Sequence, residues 1–188
     1  MNDIATEALN KIFSILALAS IGISTIIIFS YLFTKIFPSK LSILNNFNKL
    51  IHENAVIFSW AIATLATLGS LFYSEISGFV PCTFCWYERI AMYPLVLILG
   101  IGMWRRNKEI WIYGLPFSFI GLIISIYHYQ LQIIPDQQSV SCSSDASCAG
   151  SWIMEFGFIT MPFMALSTFL LISVLLLVPN INNLRKGK

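Results

Sequence analysis

Five apolar stretches alternate with short polar segments along the chain. A helix needs about 20 predominantly apolar residues to cross the hydrocarbon core of a bilayer, and each stretch approaches that length. The stretches are residues 12–33, 55–73, 90–104, 110–127 and 158–178. The third reaches a full span if its helix begins near Cys85, which places Trp86 and Tyr87 at the lipid interface. The pattern therefore predicts an all-α membrane protein with five transmembrane helices.

The first apolar stretch could be a secretory signal peptide or a retained transmembrane helix. A secretory signal peptide fits this first helix poorly, because a signal peptide has a basic n-region and a shorter apolar core. We therefore expect that the helix is retained.

The overall composition supports a membrane protein and excludes two other classes. Hydrophobic residues make up 57% of the 188 residues and charged residues only 11%, and the mean hydropathy is +0.77. So few charged side chains could not cover a soluble globule of this size, whereas a lipid-facing surface needs almost none. The formal net charge of +2 is too small to indicate a nucleic-acid partner.

The distribution of lysine and arginine predicts which way the helices cross, because short cytoplasmic loops are enriched in these residues. If residues 34–54, 105–109 and 179–188 are cytoplasmic, that side holds nine of the eleven basic residues. The nine are Lys35, Lys40, Lys49, Arg105, Arg106, Lys108, Arg185, Lys186 and Lys188. Residues 128–157 contain no lysine or arginine. Both pairs of cysteines, and the N-terminus, then face the oxidising outer side, where disulfides persist.

The first cysteine pair has the spacing of a redox dithiol. Cys82 and Cys85 are separated by two residues and would lie in the first turn of the third helix. Unpaired backbone N–H groups at a helix N-terminus favour thiolates, and so does a cation one turn further on, where Arg89 stands. Arg89 could also donate hydrogen bonds to a quinone carbonyl and stabilise the negative charge that develops there. The alternative for Arg89 is a contact with lipid phosphates.

A zinc site and an inert structural disulfide are the alternatives for this first pair. Zinc sites of four cysteines usually join two CxxC units in a soluble ribbon. Here the other pair, Cys142 and Cys148, has five intervening residues and lies across two membrane spans. The spacing therefore argues against a metal site, and we expect none.

The second cysteine pair lies in a segment of small polar residues, with Asp145 between the two sulfurs. Such a segment is typically accessible rather than packed, so we expect a disulfide that a protein partner's thiolate can attack. The alternative is a structural disulfide that only stabilises the loop. A disulfide that closes so short a loop, however, stabilises the fold less than one that closes a long loop. His128 begins this loop, and a lone histidine at a helix end is more often interfacial than catalytic.

The residues around both pairs resemble the quinone-coupled disulfide oxidoreductases of bacterial membranes, disulfide bond formation protein B (DsbB) and its relatives. Residues 78–90, Gly-Phe-Val-Pro-Cys-Thr-Phe-Cys-Trp-Tyr-Glu-Arg-Ile, look like the family's CxxC-Trp-Tyr-Gln-Arg signature, particularly in its BdbC-like branch. The resemblance continues in residues 127–132, Tyr-His-Tyr-Gln-Leu-Gln, and in residues 158–162, Phe-Ile-Thr-Met-Pro. With the loop cysteine pair, it covers about residues 55–178.

By this resemblance the chain is a thiol-disulfide oxidoreductase of the bacterial cytoplasmic (inner) membrane, with both cysteine pairs facing the periplasm or exterior. It would reoxidise a thioredoxin-fold dithiol oxidase similar to DsbA, and it would pass the electrons to ubiquinone or menaquinone. Cys142 would form the mixed disulfide with the partner, and Cys148 would link the two pairs. Cys82 would exchange with the loop pair, and Cys85 would be the sulfur on the quinone side. Arg89 and His128 would contact the quinone.

Two features depart from the family pattern. The family's glutamine before the arginine is Glu88 here, which could pair with Arg89 or oppose thiolate formation at Cys85 by like-charge repulsion. The resemblance implies a four-helix transmembrane bundle over residues 55–188, with an outer loop at residues 128–157. Residues 1–54 would add one extra N-terminal transmembrane helix and a cytoplasmic segment, to which the sequence assigns no mechanism.

Two other classes compete with this interpretation. A protein similar to vitamin K epoxide reductase also combines a helix bundle with a CxxC and loop cysteines, but its CxxC typically lies near the end of the core. A membrane subunit with purely structural disulfides would need no reactive thiol at Cys85. The sequence leaves open the partner, the quinone type and the physiological direction.

Overall fold

The computed structural model describes residues 2–36, 42–134, 148, 150 and 153–181. These residues form five long helices, which are α1 (Asn2–Ile36), α2 (Ser42–Leu71), α3 (Thr83–Trp104), α4 (Trp111–Ile133) and α5 (Met161–Leu177). A π-helical turn, Phe72–Ile76, continues α2, and single 3-10 turns precede α4 and follow α5. The described residues contain no β-strand, only an isolated bridge between Glu155 and Ile159. All five helices are long and apolar enough to cross a membrane, which confirms the predicted fold class.

Helix α2 begins earlier than the apolar stretch predicted. Its first residue is Ser42, thirteen residues before the predicted start of the second span, so much of the expected polar connection is helical. The reason is an amphipathic pattern in this stretch, in which Ile51 and Ala55 lie four residues apart and are both buried. A count of apolar residues misses such a helix because its other face is polar.

The core lies between α2, α3, α4 and α5. Its most buried members are aliphatic or aromatic side chains from all four helices, namely Ala63, Leu95, Leu99, Trp111, Phe169, Ile172 and Leu176. Close approach of α4 to α5 depends on Gly121, because a Cβ atom at this position would overlap the Phe169 ring. Small residues at such contacts let helix backbones approach one another within a membrane.

Helix α1 packs mainly against α5 and also touches α2. Its Ile27 is buried in a cluster with Leu171, Val174 and Leu175 of α5. The same side of α1 also carries the buried small residues Ser14, Ala17, Ser24 and Ser30. This pattern of small residues resembles the interfaces of other transmembrane helices.

Polar contacts tie α1 to α2 near both ends. Near one end, the Ser30 hydroxyl donates to the Asn48 side-chain oxygen at 2.9 Å, and the Asn48 amide donates to Thr34 at 3.1 Å. Near the other end, the Thr6 and Ser77 hydroxyls lie 3.0 Å apart. The end of the bundle that holds Thr6, Ser77 and the start of α3 is called the site end below.

Candidate redox site

The CxxC pair lies at the start of α3, as the sequence predicted. Cys82 is the N-cap residue, with an extended backbone, and its sulfur accepts a hydrogen bond from the Cys85 backbone N–H at 3.3 Å. Both cysteines carry free thiols, whose sulfur atoms lie 3.0 Å apart. Cys82 is buried and Cys85 is partly exposed. The pair is therefore a dithiol whose sulfurs already lie side by side at a helix N-terminus.

His128 and Glu88 stand behind Cys82. The His128 Nε2 atom lies 3.4 Å from the Cys82 sulfur, and its Nδ1 atom lies 3.1 Å from the Glu88 carboxylate. The imidazole is almost completely buried. It lies inside α4, which continues to Ile133, so the prediction that the fourth span ends at residue 127 is wrong. The sequence left open whether Glu88 pairs with Arg89, and in this structure it pairs with His128 of α4 instead. Carboxylate, imidazole and thiol thus form a continuous chain.

The surroundings of Cys82 favour its thiolate. The hydrogen bond with the Cys85 thiol lowers the pKa of Cys82 below its usual range, and the contact with His128 lowers it further. These two effects outweigh burial, which acts in the opposite direction. Cys82 is therefore the more acidic and more reactive sulfur expected of a redox dithiol.

Arg89 is a buried cation in α3. Its guanidinium donates from Nε to the Ser70 hydroxyl at 2.9 Å and from Nη2 to the Ser70 backbone oxygen at 3.0 Å. It also lies 5.1 Å from the centre of the Trp86 ring, a cation–π contact. Within the described part of the chain, no carboxylate lies within 4.0 Å of it. Burial of an ionised side chain without a counter-ion is costly in a membrane protein, which makes Arg89 a candidate functional residue.

A cavity of about 340 Å³ lies beside Cys85 and Arg89. Its walls come from α1, α2 with its π-helical turn, α3 and α5, and most of its lining residues are apolar. Cys85, Glu88 and Arg89 contribute to the wall, whereas Cys82 and His128 do not. A mostly apolar cavity with a few polar groups at one place is the usual form of a small-molecule site.

A second, much smaller recess lies on the other side of the CxxC pair. It is lined by Cys82, Cys85, His128, Gln132, Gly150, Met161 and Pro162. Gln132 donates its side-chain N–H to the Gly150 carbonyl at 3.1 Å, which holds Gly150 beside the recess. Cys85 thus borders both spaces, while Cys82 borders only the smaller recess.

Cys148 lies against Cys82. It is 1% exposed, belongs to the same buried cluster as Cys82, and is disulfide-bonded. The expectation of an open, accessible loop is therefore wrong for Cys148, because packing against the CxxC pair removes it from solvent. Cys142, the other predicted member of the loop pair, lies outside the described residues, as does Asp145.

Three donor atoms at this site could together hold a soft metal ion. The sulfurs of Cys82 and Cys85 and a ring nitrogen of His128 all lie within 4.8 Å of one another. Sulfur and imidazole are the ligands that zinc prefers. The sequence argument considered only four cysteines and missed this combination, because His128 is distant from the pair along the chain. A disulfide between Cys82 and Cys85 would remove two of the three ligands.

A dithiol packed under a disulfide-bonded cysteine, inside a bundle of membrane-spanning length, is the arrangement of a membrane thiol-disulfide oxidoreductase. The family model described as "Disulfide bond formation protein DsbB" matches residues 52–179. The chain belongs to this family and is a multi-pass membrane oxidoreductase of the disulfide-forming class.

Curated relatives agree with this assignment. Disulfide bond formation protein C of Bacillus subtilis (strain 168) is 48% identical over 126 residues, which are 65% of this chain and 91% of the relative. Probable disulfide formation protein C 2 of Bacillus anthracis is 45% identical over 132 residues, 70% of this chain and 94% of the relative. Probable disulfide formation protein C of Halalkalibacterium halodurans is 46% identical over 124 residues, 65% of this chain and 90% of the relative. No solved structure matches the chain significantly.

Proposed function

We propose that the chain reoxidises an extracytoplasmic thioredoxin-fold dithiol oxidase, similar to DsbA, and passes the electrons to a membrane quinone. The observation that carries this proposal is the position of the CxxC pair between two spaces. Cys82 packs on Cys148, and Cys85 lines an apolar cavity beside Arg89. A relay needs one sulfur on the protein side and another on the acceptor side.

Two thiol-disulfide exchanges precede the last step of the relay. The partner's dithiol is oxidised as the Cys142–Cys148 disulfide is reduced, by way of a mixed disulfide at Cys142. Cys148 then attacks the Cys82 sulfur of a Cys82–Cys85 disulfide, and the loop disulfide re-forms as Cys82 and Cys85 become thiols. Each exchange moves two electrons and two protons from a dithiol to a disulfide. The dithiol becomes a disulfide and the disulfide becomes a dithiol, so no other reactant is needed. The contact of Cys148 with Cys82 supports this order.

The last step re-forms the Cys82–Cys85 disulfide. When bound, a quinone would supply the acceptor for the two electrons and two protons that the two thiols release. Arg89 would donate hydrogen bonds to an acceptor oxygen and stabilise negative charge there, since only Ser70 competes for its N–H groups in the described residues. His128 takes the Cys82 proton at Nε2, and the Glu88 carboxylate stabilises the resulting imidazolium.

The direct contact of His128 is therefore with Cys82. The prediction that His128 also contacts the quinone stays a prediction, since the imidazole lies behind the pair and outside the cavity wall.

The proposed location is the bacterial cytoplasmic membrane, with the site end facing outward. Arg105 and Arg106 follow α3 and are exposed at the end opposite to Cys82. Lys35 ends α1 and Lys49 lies near the start of α2, at that same opposite end. A cytoplasmic position for these basic residues satisfies the positive-inside rule and leaves both cysteine pairs on the oxidising side.

The proposal is tested by replacing single cysteines in the purified full-length chain and supplying two different reductants. Dithiothreitol, a small dithiol, can reduce the CxxC pair without the loop, whereas a reduced thioredoxin-fold oxidase needs the loop pair. We expect that Cys85→Ala abolishes quinone reduction with both reductants. Cys148→Ala should abolish it with the protein partner and retain at least half of the rate with dithiothreitol.

Two results would contradict the relay. Partner oxidation that continues over many turnovers in Cys85→Ala would mean that Cys85 does not carry the electrons to the acceptor. The other result is an equal loss of quinone reduction with both reductants in Cys148→Ala, in a protein whose helical circular dichroism is unchanged. It would mean that the loop pair is not a separate step between the partner and the CxxC pair.

A further inference from the structure

Helix α1 forms one wall of the cavity that Cys85 and Arg89 face. Six of its residues line the cavity, namely Phe13, Leu16, Ala17, Ala19, Ser20 and Ile23. None of these residues belongs to the part of the chain that the family model matches, which begins at residue 52. The Bacillus subtilis relative is covered over 91% of its length by 126 residues. What remains of that relative is about a dozen residues, too few for a span of about 20.

The wall is held in place next to the reactive groups. The Phe13 ring fills the space that Gly69 leaves on α2, where an added Cβ atom would lie 2.8 Å from the ring. Phe13 also contacts the Tyr73 ring, with 5.9 Å between ring centres. Gly69 immediately precedes Ser70, the residue that binds Arg89. The position of α1 is therefore linked to the polar end of the cavity through adjacent residues of α2.

Between its two tied ends, α1 leaves an opening toward α2. The lining residues Leu16 and Ile23 of α1 and Leu65 of α2 are between 41% and 47% exposed, although all three are large and apolar. They lie in the middle of membrane-spanning helices, where the surroundings are lipid rather than water. An opening at this depth admits molecules from the bilayer, and it excludes polar solutes.

We propose that α1 is a component of the quinone site, and that Ala17 and Ser20 on α1 set the fit of an isoprenoid quinone that enters from the lipid between α1 and α2. This inference rests on the proposed function. The quinone ring lies toward Cys85 and Arg89, and the isoprenoid chain leaves along the apolar part of the wall. An extra helix thus converts a groove on the four-helix core into a chamber that opens only toward the lipid.

The test compares two aromatic substitutions on the same helix in the full-length chain. Ser20→Phe places a ring in the chamber, and Thr25→Phe places one on the exposed side of α1. The two positions are well matched, since each hydroxyl donates to a backbone oxygen of its own helix, at 2.8 Å and 2.7 Å. We expect Ser20→Phe to raise KM for ubiquinone-1 or menaquinone-1 by about tenfold, and Thr25→Phe to change it less than about twofold.

A second readout separates this inference from the proposed function. Without quinone, both variants and the unmodified chain should oxidise the reduced thioredoxin-fold partner to the same extent, limited by their own disulfides. An unchanged quinone KM in Ser20→Phe would overturn the inference while leaving the relay intact. A chain that reduces no quinone at all would instead remove the proposed function.

Photolabelling of the unmodified chain covers the case in which Ser20→Phe does not fold. An azido derivative of a short-chain quinone should label α1 within residues 13–23, and excess unlabelled quinone should suppress that label. Label confined to α2–α5 would overturn the inference. Label on α1 that quinone does not suppress would mean that only lipid chains occupy the chamber, which would overturn it equally.

Discussion

The predicted reactivity of Cys82 depends both on its position in the sequence motif and on the groups around its sulfur. The helix N-terminus, the Cys85 thiol and the His128 imidazole all contact its sulfur. Each of these contacts stabilises a thiolate, and together they lower the pKa of Cys82. Thiolates rather than thiols carry out disulfide exchange, so the lowered pKa bears directly on the rate of the proposed relay.

The lowered pKa of Cys82 predicts a distinctive pH dependence of its alkylation. With the CxxC pair reduced, iodoacetamide should modify Cys82 at nearly the same rate from about pH 8 to about pH 6, because the thiolate stays populated. An ordinary thiol, with a pKa of about 8.5, slows nearly a hundredfold over this interval. Fragment-ion mass spectrometry can assign the modification to Cys82 or Cys85. A hundredfold decrease at Cys82 would contradict this account of the site.

Glu88 is the residue that departs from the family signature, and the structure gives it a contact that can be tested. Glu88→Gln keeps a hydrogen-bonding side chain beside His128 but removes the negative charge that stabilises an imidazolium. The fall in the Cys82 alkylation rate should therefore begin at a higher pH in this variant. Glu109→Gln, at the opposite end of the bundle, should retain the original profile. If both variants follow the original profile, Glu88 has only a packing role.

Among the helices, the contact between α4 and α5 has the least tolerance for added volume. Gly121 lies against Phe169, which is 1% exposed and surrounded by core residues, so the ring cannot move aside freely. Gly121→Ala should destabilise the bundle by about 1–3 kcal/mol through overpacking. Gly22→Ala on α1 is the matched control, because nothing lies within 4 Å of its added Cβ atom.

Thermal unfolding in detergent, followed by circular dichroism, measures both glycine variants. The expected result is a lowered midpoint for Gly121→Ala and an unchanged or slightly raised one for Gly22→Ala, since alanine is the better helix former. Equal midpoints for the two variants would show that α4 and α5 can separate without cost, contrary to the packing described above.

At the level of the helices, apolar length predicted all five spans and the helix start at the CxxC pair. It placed the beginning of α2 too late, because residues 42–54 form a helix with only one apolar face. It also could not predict which helix α1 packs against. The buried small residues of α1, such as Ser24 and Ser30, do not identify the helix that they contact. Which helix a small-residue face meets depends on tertiary packing, and here it is chiefly α5.

For the whole molecule, the sequence predicted the positions of the candidate redox residues better than it predicted the residues that contact them. Cys82, Cys85 and Arg89 come from one local motif, so their proximity follows from helical spacing. The pairing of Glu88 with His128 and of Arg89 with Ser70 joins separate helices, which no local pattern reveals. The burial of Cys148 was missed for the same reason, since polar composition predicts exposure unless another element covers the residue.

The most direct test of the relay is an electron count in the absence of oxygen. The purified full-length chain is mixed anaerobically with an excess of reduced thioredoxin-fold oxidase and of ubiquinone or menaquinone. Quinol is then followed by absorbance and the partner's thiols by mass spectrometry. The account predicts one quinol for each partner disulfide formed, over many turnovers. Partner oxidation that stops after the chain's own disulfides are consumed, with no quinol formed, would contradict it.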